Sequence, residues 1–332
     1  MKRWISLIAA LVLLTGILAA CSSSQTTAGN TSSTNAAKER AGEQAKGAST
    51  LEVGEGWPRT ITDATSRKVV LKERPERVAV LHPLYLDYFF ALDTPPIASG
   101  SAAKSMKEFA TLQPYVGKAE IADLGAGKDL NMEAIIEAMP DVIVTFKGHI
   151  DETNYDKLSK IAPVIQIDYS DKWENATMIC ARIIGKEDKA DQLIKETQGI
   201  IKKTKDQLGD LKNKSFALLR VDGKSNFTAQ GTKNTTYYNE TTGFGLMKPD
   251  RYPEDSAILT LEALSEMNPD YLIIQHTLDV AKQAILEKEG LAVWKSLKAV
   301  KNNHVVLFDN SLNSGSVLAI RLAAENLLKL AE

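Results

Sequence analysis

One phrase occurs twice in this chain, and it constrains the fold more than any other feature. NMEAIIEAMPDVIVT begins at Asn131, and TLEALSEMNPDYLII begins at Thr260, about 130 residues later. Each copy starts with a residue that caps helices well and ends with Pro-Asp before an apolar run. Each copy therefore predicts a short helix followed by a buried strand, and the repetition predicts two equivalent α/β units.

The first Glu of each copy, Glu133 or Glu262, falls in the first turn of its expected helix. A carboxylate there interacts favourably with the helix dipole by about 0.3–1 kcal/mol, so each Glu could simply stabilise its own helix. The repetition also places one carboxylate at a corresponding surface point of each unit. From these residues alone, each Glu is either a helix-stabilising residue or one of two corresponding surface charges, and the sequence does not decide between these roles.

Strand-like and helix-like segments alternate on both sides of a long stretch without proline, which indicates mainly parallel sheets covered by helices. The expected strands are 77–82, 142–146, 164–167, 216–221, 226–229, 271–275 and 304–308. From 173 to 208 apolar residues recur at helical spacing, interrupted at most near Gly185. A helix of this length is too long to connect neighbouring strands of a small sheet. We therefore expect lobes at 57–172 and 209–332, joined by one long helix at 173–208.

The first 56 residues predict an export signal and a tether. Lys2 and Arg3 precede the apolar run 5–20, and the small residues of LAAC lead directly to Cys21. This segment resembles the lipobox of bacterial lipoproteins, which implies cleavage after residue 20 and a lipid on Cys21. Residues 21–56 are rich in Ser, Thr, Gly and Ala and lack apolar periodicity, so we expect a flexible tether.

Charge and motifs exclude several functional classes. The formal net charge is −2, and it becomes −4 when Lys2 and Arg3 leave with the signal, which argues against nucleic acid as a partner. Cys180 lies among apolar residues and is expected in the core. No HExxH, CxxC or GxSxG motif occurs, and 122–129 lacks the first Gly and the Ser or Thr of a phosphate-binding loop. We therefore expect no enzymatic activity.

Several ordered phrases resemble the substrate-binding lipoproteins of bacterial iron–siderophore ABC importers. They are ITDATSRKVVLKERPERVAVL, DLGAGKDLNMEAIIEAMPDVIVT, YDKLSKIAPVIQID, LTLEALSEMNPDYLII and WKSLKAVKNNHVVLFD, and the match runs from about 61 to 330. The resemblance implies two Rossmann-like α/β lobes, a single long helix between them and a ligand cleft. It implies no cofactor, because the iron arrives chelated. It also implies a monomer that is anchored outside the cytoplasm through Cys21 and docks on two permease subunits through Glu133 and Glu262.

Ligands of such folds meet the loops at the carboxyl ends of the strands. A wrapped ferric chelate calls for cations, hydrogen-bond donors and flat aromatic surfaces on the protein. Arg220 is the strongest candidate, because an Arg that ends a buried apolar strand usually needs an anionic partner. The other expected ligand contacts are Trp173, Tyr85, Lys147, Lys104, Tyr238 and His276.

The identity of the ligand stays open. A hydroxamate, citrate-type or mixed chelate is compatible with the chain, although related hydroxamate receptors often carry a Trp where Leu318 is here the nearest large residue. A cobalamin receptor would have the same fold and the same Glu pair. A receptor for a bare metal ion would require His82, His149 and His276 to converge.

Overall fold

The computed structural model describes residues 56–127, 129–222, 224, 226–233 and 236–332. The expected signal peptide, Cys21 and the tether up to residue 55 lie outside the described residues. Within the described part of the chain, no helix combines the length and the apolar character needed to cross a membrane.

Short strands and helices alternate along the chain. The strands are β1 Arg59–Thr62, β2 Lys68–Leu71, β3 Val78–Val80, β4 Ala98–Ser99, β5 Ala122–Asp123, β6 Gly125–Ala126, β7 Asp129–Leu130, β8 Val142–Phe146, β9 Val164–Ile167, β10 Phe216–Val221, β11 Phe227–Ala229, β12 Ala257–Leu259, β13 Tyr271–Gln275 and β14 Val305–Phe308. The helices are α1 Leu86–Ala91, α2 Ala102–Glu108, α3 Met132–Ala138, α4 Glu152–Leu158, α5 Trp173–Ile184, α6 Glu187–Gln207, α7 Leu261–Met267, α8 Leu278–Glu289, α9 Ala292–Ser296, α10 Lys298–Lys301 and α11 Val317–Ala331. Short 3-10 helices cover Pro83–Tyr85, Ala110–Tyr115, Gly209–Asn213 and Asn310–Ser314.

The first lobe is built on a parallel sheet with the strand order β5-β4-β3-β8-β9. Alternate residues of β3 enter different cores, because side chains along a strand point to opposite faces. Val78 and Val80 belong to the large core that continues into the second lobe, whereas Ala79 packs in a smaller core on the other face. Burial on both faces explains why β3 and β8 are continuous apolar runs rather than alternating ones.

The second lobe has the strand order β12-β11-β10-β13-β14. Strands β10, β13 and β14 run parallel, and β11 and β12 are added antiparallel at one edge. The prediction of α/β lobes with mainly parallel sheets is confirmed for both halves. Arg220 and Gln275 lie at the carboxyl ends of β10 and β13, two neighbouring parallel strands.

The repeated phrase forms the same structure in both lobes. The side chain of Asn131 accepts a hydrogen bond from the backbone amide of Ala134 at 3.0 Å, and Thr260 accepts one from Ala263 at 3.1 Å. Helices α3 and α7 therefore begin where the capping residues predict. Each helix has seven residues, and the residue after it adopts a left-handed conformation.

The Pro-Asp end of each repeat ties two strands of its lobe together. Asp141 precedes β8 and accepts hydrogen bonds from the amides of Glu76 and Arg77, just before β3, at 3.0 and 2.9 Å. Asp270 precedes β13 and accepts hydrogen bonds from the amide of Ser215, just before β10, at 2.8 Å, and from its hydroxyl at 2.9 Å. Each Asp thus fixes the beginning of a parallel strand pair, which gives the repetition a structural reason independent of its Glu.

The connection between the lobes differs from the single helix predicted. Helix α5 ends at Gly185, which has a φ of 66° in the left-handed region that glycine adopts without strain, and α6 begins at Glu187. Helix α6 has 21 residues and is about 30 Å long. The last helix, α11, packs along α6 and also against α1 of the first lobe. Helix α11 therefore contacts the first lobe as well as the connecting helix α6.

A buried carboxylate lies where α1 meets the start of α11. Asp87 accepts hydrogen bonds from the hydroxyls of Thr111, Ser314 and Ser316 at 2.8, 3.0 and 2.7 Å. Burial raises its pKa to about 6, the three hydroxyls lower it, and the negative charge of Asp309 raises it slightly. The same contacts hold the Asn310–Ser314 turn against the first lobe.

Replacement of Met139 by Asn should stabilise the protein by about 1 kcal/mol. Met139 ends α3 with a φ of 45°, a conformation that Asn adopts more easily, and Asn268 occupies the equivalent position after α7. Urea unfolding would measure the change. The matched control, Asn268→Met, should cost more than Met139→Asn gains, because it also loses the 2.9 Å hydrogen bond from the amide of Lys298. A destabilised Met139→Asn variant would contradict this interpretation of the αL position.

The stability of the protein should depend on Asp87 between pH 4 and pH 6. The folded pKa of about 6 lies above the ordinary 3.8, so the folded state binds the proton more tightly and loses stability as pH rises through this interval. Asp87→Asn should therefore gain on the order of 2–3 kcal/mol relative to the natural chain between pH 4 and pH 7. Asp270 does not interfere, because its pKa is lowered to about 2. Parallel pH profiles of unfolding free energy for the two chains would exclude this role of Asp87.

Candidate functional site

A cavity of about 480 Å³ opens between the carboxyl ends of strands from both sheets. One wall comes from the first lobe, through Tyr85, Tyr88 and the segment 168–174. The opposite wall comes from β10, β13 and their neighbours, and the segment 312–315 before α11 closes one side. A cavity of this size suits a compact small molecule.

Arg220 presents an unsatisfied hydrogen-bond donor at this cavity. Its Nη2 donates to Oδ1 of Asn310 at 2.9 Å, whereas the buried Nη1 has no hydrogen-bond partner among the described residues. Burial lowers the pKa of this guanidinium, and the electrostatic effect of Tyr169 opposes this. A buried guanidinium without an anion beside it is costly, so its environment favours an anionic or oxygen-rich ligand.

Gln275 provides a second donor on the same wall. Its Oε1 accepts a hydrogen bond from Nε2 of Gln230 at 2.6 Å, and its own Nε2 is buried with no hydrogen-bond partner in the described part of the chain. Both glutamines line the cavity together with Arg220. These side chains offer N–H groups to ligand oxygens from two adjacent strands.

The wall of the first lobe is aromatic. Tyr85, Tyr88 and Trp173 are buried and line the cavity, and the exposed Tyr169 also belongs to the lining. Burial raises the pKa of Tyr85 and Tyr88 well above 10, so both phenols stay neutral. Flat rings of this kind suit the hydrophobic faces of an organic chelate.

Three further candidate cations are not part of the cavity lining that the structure describes; Lys147 and His276 directly follow strands, whereas Lys104 lies in α2. Lys104 and Lys147 are exposed, and Lys104 lies 4.0 Å from Glu108. Burial lowers the pKa of His276, and the positive charges of Arg220 and Lys104 lower it further. The lowered pKa keeps the His276 imidazole of the second lobe mainly neutral at pH 7, whereas Lys104 adds positive charge from the first lobe.

Tyr238 is placed differently from the prediction. Its hydroxyl donates to the carbonyl of Phe216 at 2.9 Å and accepts from the amide of Leu218 at 3.0 Å, so it is fully used beside β10. Its neighbour Tyr237 lines the cavity instead. The sequence gives no signal that distinguishes two consecutive tyrosines in a loop.

The three candidate histidines do not form one metal site. The rings of His82 and His149 lie 5.4 Å apart on the first lobe, and burial, followed by the charge of His149, lowers the pKa of His82 to about 4. His276 belongs to the second lobe, at the end of β13. Among the described residues, no group of three or more His, Cys, Asp or Glu side chains is arranged to hold a metal ion.

Glu133 and Glu262 are exposed, each in the first turn of its helix. Neither residue lines the cavity, so within the described structure they form a pair separate from the ligand site.

Several residues of the cavity lining were not predicted from the sequence, and Gln275 and Asp171 are the ones with unpaired buried atoms. Gln275 directly precedes the predicted His276, and Asp171 lies between the cavity residues Tyr169 and Trp173. Sequence patterns could have indicated both residues as candidates, because Gln275 ends an apolar strand and the segment DYSDKW, which contains Asp171, joins β9 to α5. Only the register of the strand and the path of the loop decide which side chain enters the cavity.

Comparison with known proteins gives a family and several relatives. A family model described as periplasmic binding protein matches residues 78–312. The iron-uptake system-binding protein of Bacillus subtilis is 32% identical over 190 residues, which cover 54% of this chain and 59% of that protein. The Fe(3+)-citrate-binding protein YfmC of the same organism is 26% identical over 312 residues, which cover 92% of this chain and 89% of that protein.

Solved structures have the same fold. The triscatecholate siderophore binding protein FeuA from Bacillus subtilis, complexed with ferri-bacillibactin, superposes with a TM-score of 0.67 and 25% identity, over 82% of this chain and 98% of that one. SirA from Staphylococcus aureus, complexed with staphyloferrin B, also gives a TM-score of 0.67, with 21% identity, over 81% of this chain and 97% of that one. At this level of identity, the similarity to SirA shows a common fold and nothing about the ligand.

Proposed function

Because this chain belongs to the periplasmic binding protein family, we propose that it is the solute-binding component of an ABC importer and captures a ferric siderophore. One observation carries the proposal: the cavity combines an aromatic wall with the unpaired buried donors of Arg220 and Gln275. Relatives along most of the chain are named for ferric citrate and iron-hydroxamate binding, which supports the same class of ligand.

The proposed recognition works on the outside of the chelate. The siderophore supplies all the ligands of the iron, so the protein needs no resident cofactor and no metal ligands of its own. Arg220 and Gln275 donate to the anionic oxygens, while Tyr85 and Trp173 cover the organic faces. Lys104 and Lys147 contribute positive charge around the cleft, and an anionic ligand close to His276 would favour protonation of its imidazole.

Delivery requires a place outside the cytoplasm and a partner in the membrane. We propose a lipid on Cys21, a tether that ends near residue 56, and a monomeric folded part with lobes at 57–172 and 209–332. Glu133 and Glu262 are proposed to pair with Arg residues of two permease subunits. Two exposed carboxylates on separate lobes fix orientation, since charge-assisted Arg–carboxylate pairs are directional.

Arg220→Gln should weaken ferric siderophore binding by about tenfold to a hundredfold, which corresponds to about 1.4–2.7 kcal/mol. The substitution removes the charge and the unpaired donor at the cavity wall. Titration of the chain from residue 22 onward with ferric citrate, ferric hydroxamates and ferric catecholates, followed by the fluorescence of Trp173, measures the effect. Arg251→Gln is the control, because that Arg is exposed and pairs with Glu266. Tight binding of free iron or zinc, without binding of any chelate, would overturn the proposed function.

Glu133→Gln and Glu262→Gln together should leave ligand affinity unchanged and reduce uptake at least tenfold. The double variant loses both docking charges but keeps the hydrogen-bonding capacity and the size of the side chains. Uptake of radioactive iron from the tightest-binding chelate, by cells that carry the full chain and its permease, provides the measurement. The control is Glu137→Gln with Glu266→Gln, the second Glu of each repeat on the same helices. If both double variants lost uptake equally, the loss would follow from the change in net charge. That result would contradict docking through Glu133 and Glu262 in particular.

A further inference from the structure

The cavity contains one buried acceptor as well as its donors. Asp171 lines the wall of the first lobe, and its Oδ2 is buried with no hydrogen-bond partner among the residues that the structure describes. The described ion pairs do not include Asp171, although the exposed Lys172 is adjacent in the chain. Asp168 behaves differently, because its Oδ1 accepts hydrogen bonds from the amide and hydroxyl of Ser170 at 2.8 and 2.6 Å.

The surroundings of Asp171 disfavour a lone negative charge. Burial raises its pKa, and the negative charge of Asp168 raises it further. Glu174 adds a third carboxylate to the same stretch of lining. These carboxylates would repel an anionic chelate that lay against this wall. A ligand that binds here must therefore bring a positive charge or N–H groups to them.

Aromatic rings complete the environment of this carboxylate. Tyr85 and Tyr88 are close enough that the charge of Asp171 affects the pKa of both, and Tyr169 and Trp173 flank it in sequence and line the same cavity. An ammonium group is attracted by a carboxylate and by the faces of aromatic rings, with larger gains where water is excluded. The combination is therefore suited to a protonated amine.

The opposite wall has the reverse polarity. Arg220 and Gln275 direct donors towards the cavity there, and Lys233, which is also in the lining, is already paired with Glu254 and Asp255. The cavity is thus divided into an acceptor wall on the first lobe and a donor wall on the second. A ligand that is uniformly anionic satisfies only one of them.

We propose that the ligand is a ferric chelate that carries a protonated amine, and that Asp171 binds this amine within the ring of Tyr85, Tyr169 and Trp173. The inference rests on the proposed function and adds the chemical class of the siderophore. The chelate oxygens face Arg220 and Gln275, and the amine lies at the other end of the cavity. Asp171 then determines specificity, while Arg220 contributes to the affinity for any ferric chelate.

Matched pairs of ferric chelates test the proposal. The first pair is ferrioxamine B, a hydroxamate with a free amine, and its N-acetyl derivative. The second is a citrate-based chelator that ends in a primary amine, with its acetylated form, and the third is a catecholate chelator with a linker amine, with its acylated form. Each pair keeps the iron centre and removes one positive charge. Titrations use the chain from residue 22 onward, at pH 7.

In the class that binds tightest, the amine form should bind at least tenfold more tightly than the acylated form. Asp171→Asn should remove this preference and leave the affinity for the acylated form within about twofold. Arg220→Gln should weaken both forms, and Asp156→Asn, which removes an exposed carboxylate of the first lobe outside the cavity lining, should preserve the preference. Thermal unfolding of each variant verifies that the fold is retained.

Equal affinity for the two members of every pair would overturn the proposal while leaving the proposed function intact. An Asp171→Asn variant that loses both members equally would assign Asp171 a structural role instead and would also overturn it. If no ferric chelate of any class binds, the proposed function fails, and the inference fails with it.

Discussion

The hydrogen bonds at the seam between the lobes determine the shape of the binding cavity. Asp87 of the first lobe accepts from Ser314 and Ser316, and Asp309 of the second lobe accepts from the amide of Ala110 at 3.0 Å. Ser314 is itself part of the cavity lining. Since the two sheets contribute opposite walls, a change in their relative position would separate the donors from the aromatic rings. The buried Asp87 and the partly buried Asp309 resist such a change, because each would lose its hydrogen bonds.

This arrangement separates capture from delivery. The cavity forms where the carboxyl ends of the strands face each other, whereas Glu133 and Glu262 stand in the first turns of α3 and α7, outside the cavity lining. The ligand site can therefore diverge in its charges without altering the proposed docking pair. Relatives with this fold are named for several chelate chemistries.

Much of the fold could be predicted from the sequence, because local patterns specify it. The repeat, the capping residues Asn131 and Thr260, and the apolar strands all depend on near neighbours in the chain. The break between α5 and α6 at Gly185 was harder to predict, because the amphipathic pattern continues on both sides of it. Of the predicted ligand contacts, Arg220, Tyr85 and Trp173 line the cavity, whereas the Tyr238 hydroxyl bonds to the backbone of β10. Their role in ligand binding stays a prediction. Asp171 and Gln275 become visible only when loops and strand register are fixed in space.

The position of the last helix has a consequence for the order in which the molecule can be assembled. Val317–Ala331 ends the chain, yet it packs against α1, more than two hundred residues earlier, and buries Ile320, Ala323 and Leu327. The first lobe thus exposes part of its apolar surface until the final residues have arrived. The two lobes share one apolar core, so neither has its full set of contacts without the other. Folding of the first lobe is therefore coupled to that of the second.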